Sequence, residues 1–297
     1  MNTINQEVDV IICVCCKKDG ETWAIASKYI VKNIQAHGYR VYVPEADVSY
    51  FKDITTQPFE VISESIYSKE FAPLIRQLLP NNRQSQFGWY LQQFIKIAAV
   101  NACKPNEIAL IWDADTVPIK KLRFIDSQGR LSYYKGEEFH IPYFDFIHKL
   151  TGMKKIVSFS FIAQCFIAKA SWVQDFLRMI EERFSRPWAQ VLLDNIDFNE
   201  GNGFSEYETL GTYISHRHAS QVQYIDRQWY RFGNSLIGHV AFLSPRKIRT
   251  TLKDFDFISF EKWDRMKPYF LCVKIPYFFQ IHLKNVFLRL LGGVKNT

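Results

Sequence analysis

The chain has 297 residues, 47% of them hydrophobic and 23% charged, with 25 Phe and 15 Tyr. Those figures exclude a disordered or collagen-like chain and leave room for one large domain with a sizeable core. The net charge is +7, and it is unevenly placed: residues 1–200 carry 23 basic and 23 acidic side chains, whereas residues 201–297 carry 14 and 7.

A basic last third suits an anionic membrane surface or a phosphorylated substrate, and a solvated basic face is the plain alternative. Nucleic acid explains it less well, because no DNA- or RNA-binding motif accompanies the charge. The six cysteines (Cys13, Cys15, Cys16, Cys103, Cys165 and Cys272) include no CxxC pair and no Cys/His grouping with zinc spacing. They read as buried thiols of a reducing compartment. The first residues, MNTINQEVDVIICV, lack a basic leader region. No run of about 18 apolar residues appears. A cytoplasmic chain without a spanning helix is the expectation.

Residues 8–16, VDVIICVCC, are a continuous apolar, β-branched run, as in a strand buried on both faces. Residues 22–38 have helical spacing, with Gly38 as the expected stop. Residues 39–46 read as a second strand, which completes a βαβ unit with parallel strands. Residues 47–85 read as short helical pieces broken at Pro73 and Pro80. FGWYLQQFIKIAAVNAC (87–103) has the pattern of an amphipathic helix. A KPNE turn follows, and IALIW (108–112) is the next buried strand. Further on, 155–169 reads as paired strands, 170–184 and 205–217 as helices, and 239–245 as a short strand.

The strand at 108–112 runs into Asp113-Ala114-Asp115. In open α/β sheets ligands bind beyond the carboxyl ends of strands. Two carboxylates flanking a small residue there suit a hard divalent cation, Mn²⁺ or Mg²⁺, bridging to substrate phosphates. A solvent-facing turn rich in Asp is the alternative. The local D-A-D-T-V also fits a haloacid-dehalogenase-type phosphatase with a nucleophilic Asp. Its position after residue 100, with neither DD nor GDxxxD downstream, argues against that reading.

GWYLQQFIKIAA, IALIWDADTVPI and GFSEYETLGTYI, in that order, resemble bacterial glycosyltransferases of the GT-A fold, in particular a poorly characterised group found among surface-polysaccharide genes. The likeness covers about residues 8–245. It implies an α/β, GT-A-like single domain over 1–269: a Rossmann-like mixed sheet with flanking helices, a nucleotide-sugar half to about residue 120, and an acceptor half after it. It further implies that Asp113 and Asp115 hold Mn²⁺ or Mg²⁺ against the donor diphosphate, a UDP-sugar being favoured. Lys17, Lys18 and Asp19 would lie near base and ribose. Lys96 would reach a phosphate or a neighbouring carboxylate, or else be an exposed helix lysine; Gln92 and Gln93 share that ambiguity. His239 is the candidate third metal ligand, with His216 and His218 as alternatives. Arg227 and Arg231 would clamp the leaving diphosphate, or be surface charges.

Ser205 and Glu208 have capping-box spacing, the glutamate returning to the serine N–H. The resemblance makes Glu206 or Glu208 the general base on an acceptor hydroxyl. Inversion is favoured over retention, and a hexose as the transferred sugar. The acceptor would be a glycan or a lipid-linked oligosaccharide. Residues 270–297 read as a basic amphipathic helix on the anionic inner face of the membrane, or as a helix packed on the domain. A carbohydrate- or nucleotide-binding module with a dead site is the non-enzymatic alternative.

Overall fold

The computed structural model describes residues 7–265. Its strands are β1 (Val8–Val14), β2 (Ala36–Val43), β3 (Glu60–Ser63), β4 (Ile108–Trp112), β5 (Thr116–Pro118), β6 (Leu131–Tyr134), β7 (Cys165–Lys169), β8 (Val222–Ile225) and β9 (Phe257–Ser259). The main helices are α1 (Gly20–Asn33), α2 (Val48–Ile54), α3 (Ser65–Leu78), α4 (Phe87–Asn101), α5 (Ile141–Thr151), α6 (Ala170–Phe184), α7 (Trp188–Asn195) and α8 (Glu206–Arg217).

Five strands form the central sheet in the order β3-β2-β1-β4-β7. The pairs β2–β3, β1–β2 and β1–β4 are parallel, and β4–β7 is antiparallel. This is a single mixed α/β domain with a largely parallel sheet and flanking helices, the expected class. The apolar run of β1 is buried along almost its whole length, flanked by β2 and β4 in the sheet and covered by α4. The order of strands reverses between β1 and β4. Loops leaving the carboxyl ends of those two strands diverge and leave a crevice between them.

Two small pairings aim the chain back at that crevice. β5, directly after Asp115, pairs antiparallel with β9. β6 pairs with β8 in parallel. Phe260 N then donates to the Asp115 carbonyl at 2.9 Å, which carries residues 260–264 across the end of β4.

Several local expectations are corrected. Gly38 lies inside β2, paired with Val10, and α1 instead ends at Asn33 where Ile34 turns extended. Pro73 sits within α3 rather than breaking it. Helix α4 is buried all round rather than on one face, because α3, α6 and α8 pack on the sides away from β1. Only Cys165–Lys169 of the stretch 155–169 is a strand. Residues 240–242 form a 3-10 turn, started by the His239 ring accepting from Ala241 N–H. The segment 270–297 lies outside the described residues. Among the described residues no helix is long and apolar enough to cross a membrane.

Helix α8 approaches the Phe161 ring so closely that a Cβ on Gly211 would lie 2.2 Å from it. Phe161 is itself fully buried. Gly211→Ala is therefore expected to destabilise the domain by about 1–3 kcal/mol through overpacking. Urea unfolding measures this, and an unchanged midpoint would mean that α8 slides freely on that ring.

Candidate active site

The crevice holds a cavity of about 340 Å³. Three elements supply its floor: the turn after β4, the middle of α4 and the first turn of α8. The turn is fixed by backbone bonds from Asp113 N to Gln164 O at 2.9 Å and from Thr116 N to Asp113 O at 3.0 Å. Gln164 adopts a left-handed conformation, φ 61°, to present that carbonyl. On α8, the Ser205 hydroxyl accepts from Glu208 N–H, and Glu206 N–H donates to Gln93 Oε1 on α4.

Lys96 is the hub. Its ammonium donates to Asp113 Oδ1 at 2.6 Å and Glu206 Oε1 at 2.8 Å, and it lies 3.2 Å from the Tyr207 hydroxyl. Tyr207 also donates to Asp113 Oδ1 at 2.7 Å. The Lys96 and Glu206 side chains are each 5% exposed, and Asp113 is 21% exposed. Burial by itself would lower the Lys96 pKa, but the Asp113 and Glu206 carboxylates outweigh it and hold it above its ordinary value. Burial pushes the Glu206 carboxyl up, against the pull of Lys96. Burial and the nearby Asp113 and Glu206 charges keep the Tyr207 phenol protonated, as a donor.

Asp115 faces a different environment. Its carboxylate is held only loosely, by Thr116 Oγ1 at 3.3 Å and Ser259 Oγ at 3.4 Å. Burial, then the charges of Asp113, Glu261 and Asp19, push its pKa up to about 7. Glu261 is bound by Arg231 and by Gln164 Nε2. Arg231 also reaches Glu138 at 2.7 Å. Lys262 lies 3.3 Å from Asp19, which fastens residues 261–263 over the cavity mouth. A further cavity of about 420 Å³ adjoins at the carboxyl ends of β1 to β3, between Cys16, Lys18, Pro44, Glu64 and Trp89.

Of the residues expected at the site, Asp19, Gln92, Gln93, Lys96, Asp113, Asp115, Glu206 and Arg231 line the 340 Å³ cavity, and Lys18 lines the adjoining one. The remaining candidates are placed elsewhere. Lys17 turns to Asp47 at 3.8 Å and over the Tyr50 ring. Glu208 does not return to the Ser205 N–H. It points into the core and accepts from Lys155 at 2.7 Å, Ser160 Oγ at 2.5 Å and Phe161 N at 2.9 Å. His239 is drawn to its own 3-10 turn and to Glu21, 3.5 Å away, and does not line the cavity. The alternatives are placed elsewhere too: His216 bonds the Lys154 carbonyl and His218 stacks on Trp172. Arg227 is bound to the buried Asp256, Nη2 to Oδ1 at 2.8 Å. Tyr207, Glu138, Glu261 and Trp263 also line the site. Tyr207 lies within GFSEYETLGTYI, between Glu206 and Glu208 of the SEYE turn, whereas nothing local marks the other three.

Among the described residues no group of three or more His, Cys, Asp or Glu is arranged to hold a metal by itself. What converges is the outward side of Asp113, the weakly held carboxylate of Asp115 and an excess of negative charge that raises Asp115. Such an all-oxygen set fits Mg²⁺ or Mn²⁺ completed by substrate phosphate oxygens and water.

The model of a family of unknown function, DUF6492, matches residues 11–267. Among curated protein sequences none matches the chain. Solved structures that resemble it include mouse xyloside xylosyltransferase 1, with TM-score 0.46 and 10% identity over 88% of this chain and 100% of that one. Another is the galactosyltransferase LgtC with donor and acceptor sugar analogs, with TM-score 0.43 and 10% identity over 84% and 86%. A third is a glycosyltransferase involved in glycosylating the major capsid of PBCV-1, with TM-score 0.38 and 11% identity over 86% and 93%. With about one residue in ten identical, none of those proteins' site chemistry transfers to this chain by position.

Two consequences are measurable. The folded Asp115 pKa of about 7 lies well above the ordinary aspartate range. The folded state therefore keeps a proton that the unfolded state has lost, and its stability falls as pH rises across that window. Glu64, also pushed up to about 7 by burial and Asp47, acts in the same direction, so the informative quantity is a difference. Asp115→Asn should melt above the wild type at pH 8 and level with it at pH 4, each kcal/mol reading as about 2–4 °C. Equal melting at both pH values would show that Asp115 is not strained. Second, Glu208→Gln leaves the Lys155 ammonium, 10% exposed, without its counter-charge. A loss of about 3–5 kcal/mol in chemical unfolding is expected; a loss below about 1 kcal/mol would fit a surface pair instead.

Proposed function

The chain belongs to the DUF6492 family, whose function is unknown, and we propose that it is a metal-dependent glycosyltransferase acting on a nucleotide-sugar donor. One observation carries the reading. A central strand ends in two aspartates at the sheet's switch point, and the first is joined through a buried lysine to a second-helix carboxylate in the same cavity. Such a site has a place for a diphosphate and a separate place for a base.

In this reading the nucleoside occupies the cavity beyond β1 to β3, and the diphosphate lies against Asp113 and Asp115. Asp113 and Asp115 would hold Mn²⁺ or Mg²⁺ there, and the ion would neutralise charge on the leaving phosphate. The acceptor hydroxyl oxygen bonds to the anomeric carbon as the bond from that carbon to the phosphate oxygen breaks. The diphosphate departs with the electron pair, and Glu206 takes the hydroxyl proton in an inverting transfer. Lys96 pulls against protonation of Glu206 before that step, and Tyr207 and Lys96 fix Asp113 so that only its outward side meets the donor. Gln93 orients the first turn of α8 by accepting from the Glu206 N–H. Residues 261–263 close the mouth and shed water from the reacting centre.

The test is a thermal-shift series with UDP, GDP, CDP and TDP, with and without Mn²⁺, followed by turnover of the matching UDP- or other nucleotide-sugar. One diphosphate should stabilise the protein only with the metal, and Asp113→Asn should remove that shift. Glu206→Gln should keep it and lower kcat by about 10²–10⁴-fold. Metal-independent binding with undiminished Glu206→Gln turnover would end this proposal, and phosphate release from a phosphomonoester would support a phosphatase instead.

A further inference from the structure

A larger cavity, about 800 Å³, flanks the first and shares Glu138, Ile162 and Arg231 with it. That size lies within the range of about 300–1,000 Å³ for small-molecule sites. It forms where the segment after β8, residues 226–232, crosses the loop after β6 and residues 158–162. The ion pair between Arg231 and Glu138 is the sill between the two spaces.

The lining has an unusual division of labour. Phe159, Trp229, Tyr230, Phe232 and Phe255 supply aromatic walls. Phe232 is 42% exposed although it is a large apolar side chain. Between these walls lie Ser158, Glu137 and Gln228, whose side chains make no hydrogen bond or ion pair among the described residues; the same holds for the Tyr230 hydroxyl. The cations at the rim are already neutralised. Lys135 is bound to Asp226 at 2.6 Å, and Arg227 to Asp256.

Each feature removes a class of occupant. Neutralised cations give a phosphate-bearing ligand little to bind. Charged and amide groups between the rings leave no continuous apolar floor for an acyl chain. A neutral ligand with apolar faces and many hydroxyls satisfies both halves: its C–H faces lie on the rings, and its hydroxyls meet the unpartnered carboxylate, amide and hydroxyl groups. We infer that this cavity binds an oligosaccharide, the non-reacting rings of the acceptor, whose terminal hydroxyl crosses the Arg231–Glu138 sill to reach Glu206. The acceptor role rests on the glycosyltransferase reading; the saccharide site does not.

Saturation-transfer NMR with maltose, cellobiose, lactose, chitobiose and their tetrasaccharides tests it on the full chain. At least one probe should bind at millimolar concentration, with longer probes tighter, and UDP with Mn²⁺ should not displace it. Phe232→Ala should weaken binding about tenfold. Gln228→Ala should weaken it too, and with no partner to lose this second variant cannot act by unfolding the protein. Absence of binding by every probe, an unchanged affinity in both variants, or displacement by UDP overturns the inference. The UDP–Mn²⁺ melting shift is read separately. Saccharide binding with no Mn²⁺-dependent shift from UDP, GDP, CDP or TDP sinks the transferase reading and leaves the saccharide site, and the reverse result does the opposite.

Discussion

The ammonium of Lys96, buried between Asp113 and Glu206, is the constraint on which the site depends. Removing a lysine from water costs several kcal/mol, and a cation in that position is tolerable only with close, well-aligned counter-charges. Here two carboxylates and a phenol meet it within 3.2 Å. Because those partners come from the end of β4 and the first turn of α8, satisfying one charge fixes the relative position of three elements. The Gly211–Phe161 contact then sets how deep α8 can sit. Packing and electrostatics thus specify the same geometry, which is how an aspartate can present one side to a ligand and still be held rigidly by the other.

Asp115 is built on the opposite principle. Nothing strong holds it, and its neighbours repel it. Antiparallel pairing of β5 with β9 brings Glu261 to its side, more than a hundred residues away in sequence. The same pairing stretches Lys262 across to Asp19. The roof over the cavity is therefore fastened at two ion pairs, Asp19–Lys262 and Arg231–Glu261. Arg231 does not project freely toward a phosphate. It joins the roof to Glu138 and so to the sill of the outer cavity. Local crowding of carboxylates at Asp115 and the closure of the mouth have one structural cause.

What the sequence disclosed, it disclosed through period and punctuation. Continuous apolar runs marked β1 and β4, helical spacing marked α4, α6 and α8, and the acidic pair at a strand's end marked the cavity floor. Failures came where tertiary partners overrode local preference. Gly38 is a natural helix stop, yet parallel pairing with β1 claimed it for β2. Pro73 is a natural breaker, yet the buried Phe71 and Ile75 on either side hold α3 together through it. Glu208 had the spacing of a capping box, but a core lysine and a backbone N–H outcompeted the serine N–H for its carboxylate. The glutamates of SEYE looked equivalent in one dimension. On the helix they point to opposite destinations, Glu206 to the cavity and Glu208 to the core. His239 and Arg227 carried suitable chemistry and were claimed by nearby acids. Glu261 and Trp263 had no local mark at all, since only the β5–β9 pairing brings them to the site.

The charge balance of the cavity bears on what can enter it. Asp19, Asp113, Asp115, Glu138, Glu206 and Glu261 line it, against Lys96 and Arg231. Both cations are fully engaged by those acids, and Lys262 at the rim is engaged by Asp19. A diphosphate approaching such walls by itself meets repulsion at short range in a partly desolvated space, where charges interact more strongly than in water. The same field that pushes Asp115 up to about 7 would resist the donor. A divalent cation accompanying the diphosphate would reverse the sign of that interaction at Asp115, the loosely held carboxylate. In the adjoining outer cavity the cations are paired off, the Glu137 carboxylate is unpartnered among the described residues and the walls are aromatic, a setting suited to a neutral, hydroxyl-bearing ligand. The two cavities thus differ in electrostatic character and are divided by the Arg231–Glu138 sill. A transfer reaction needs that division, because donor and acceptor must bind side by side without competing for one place.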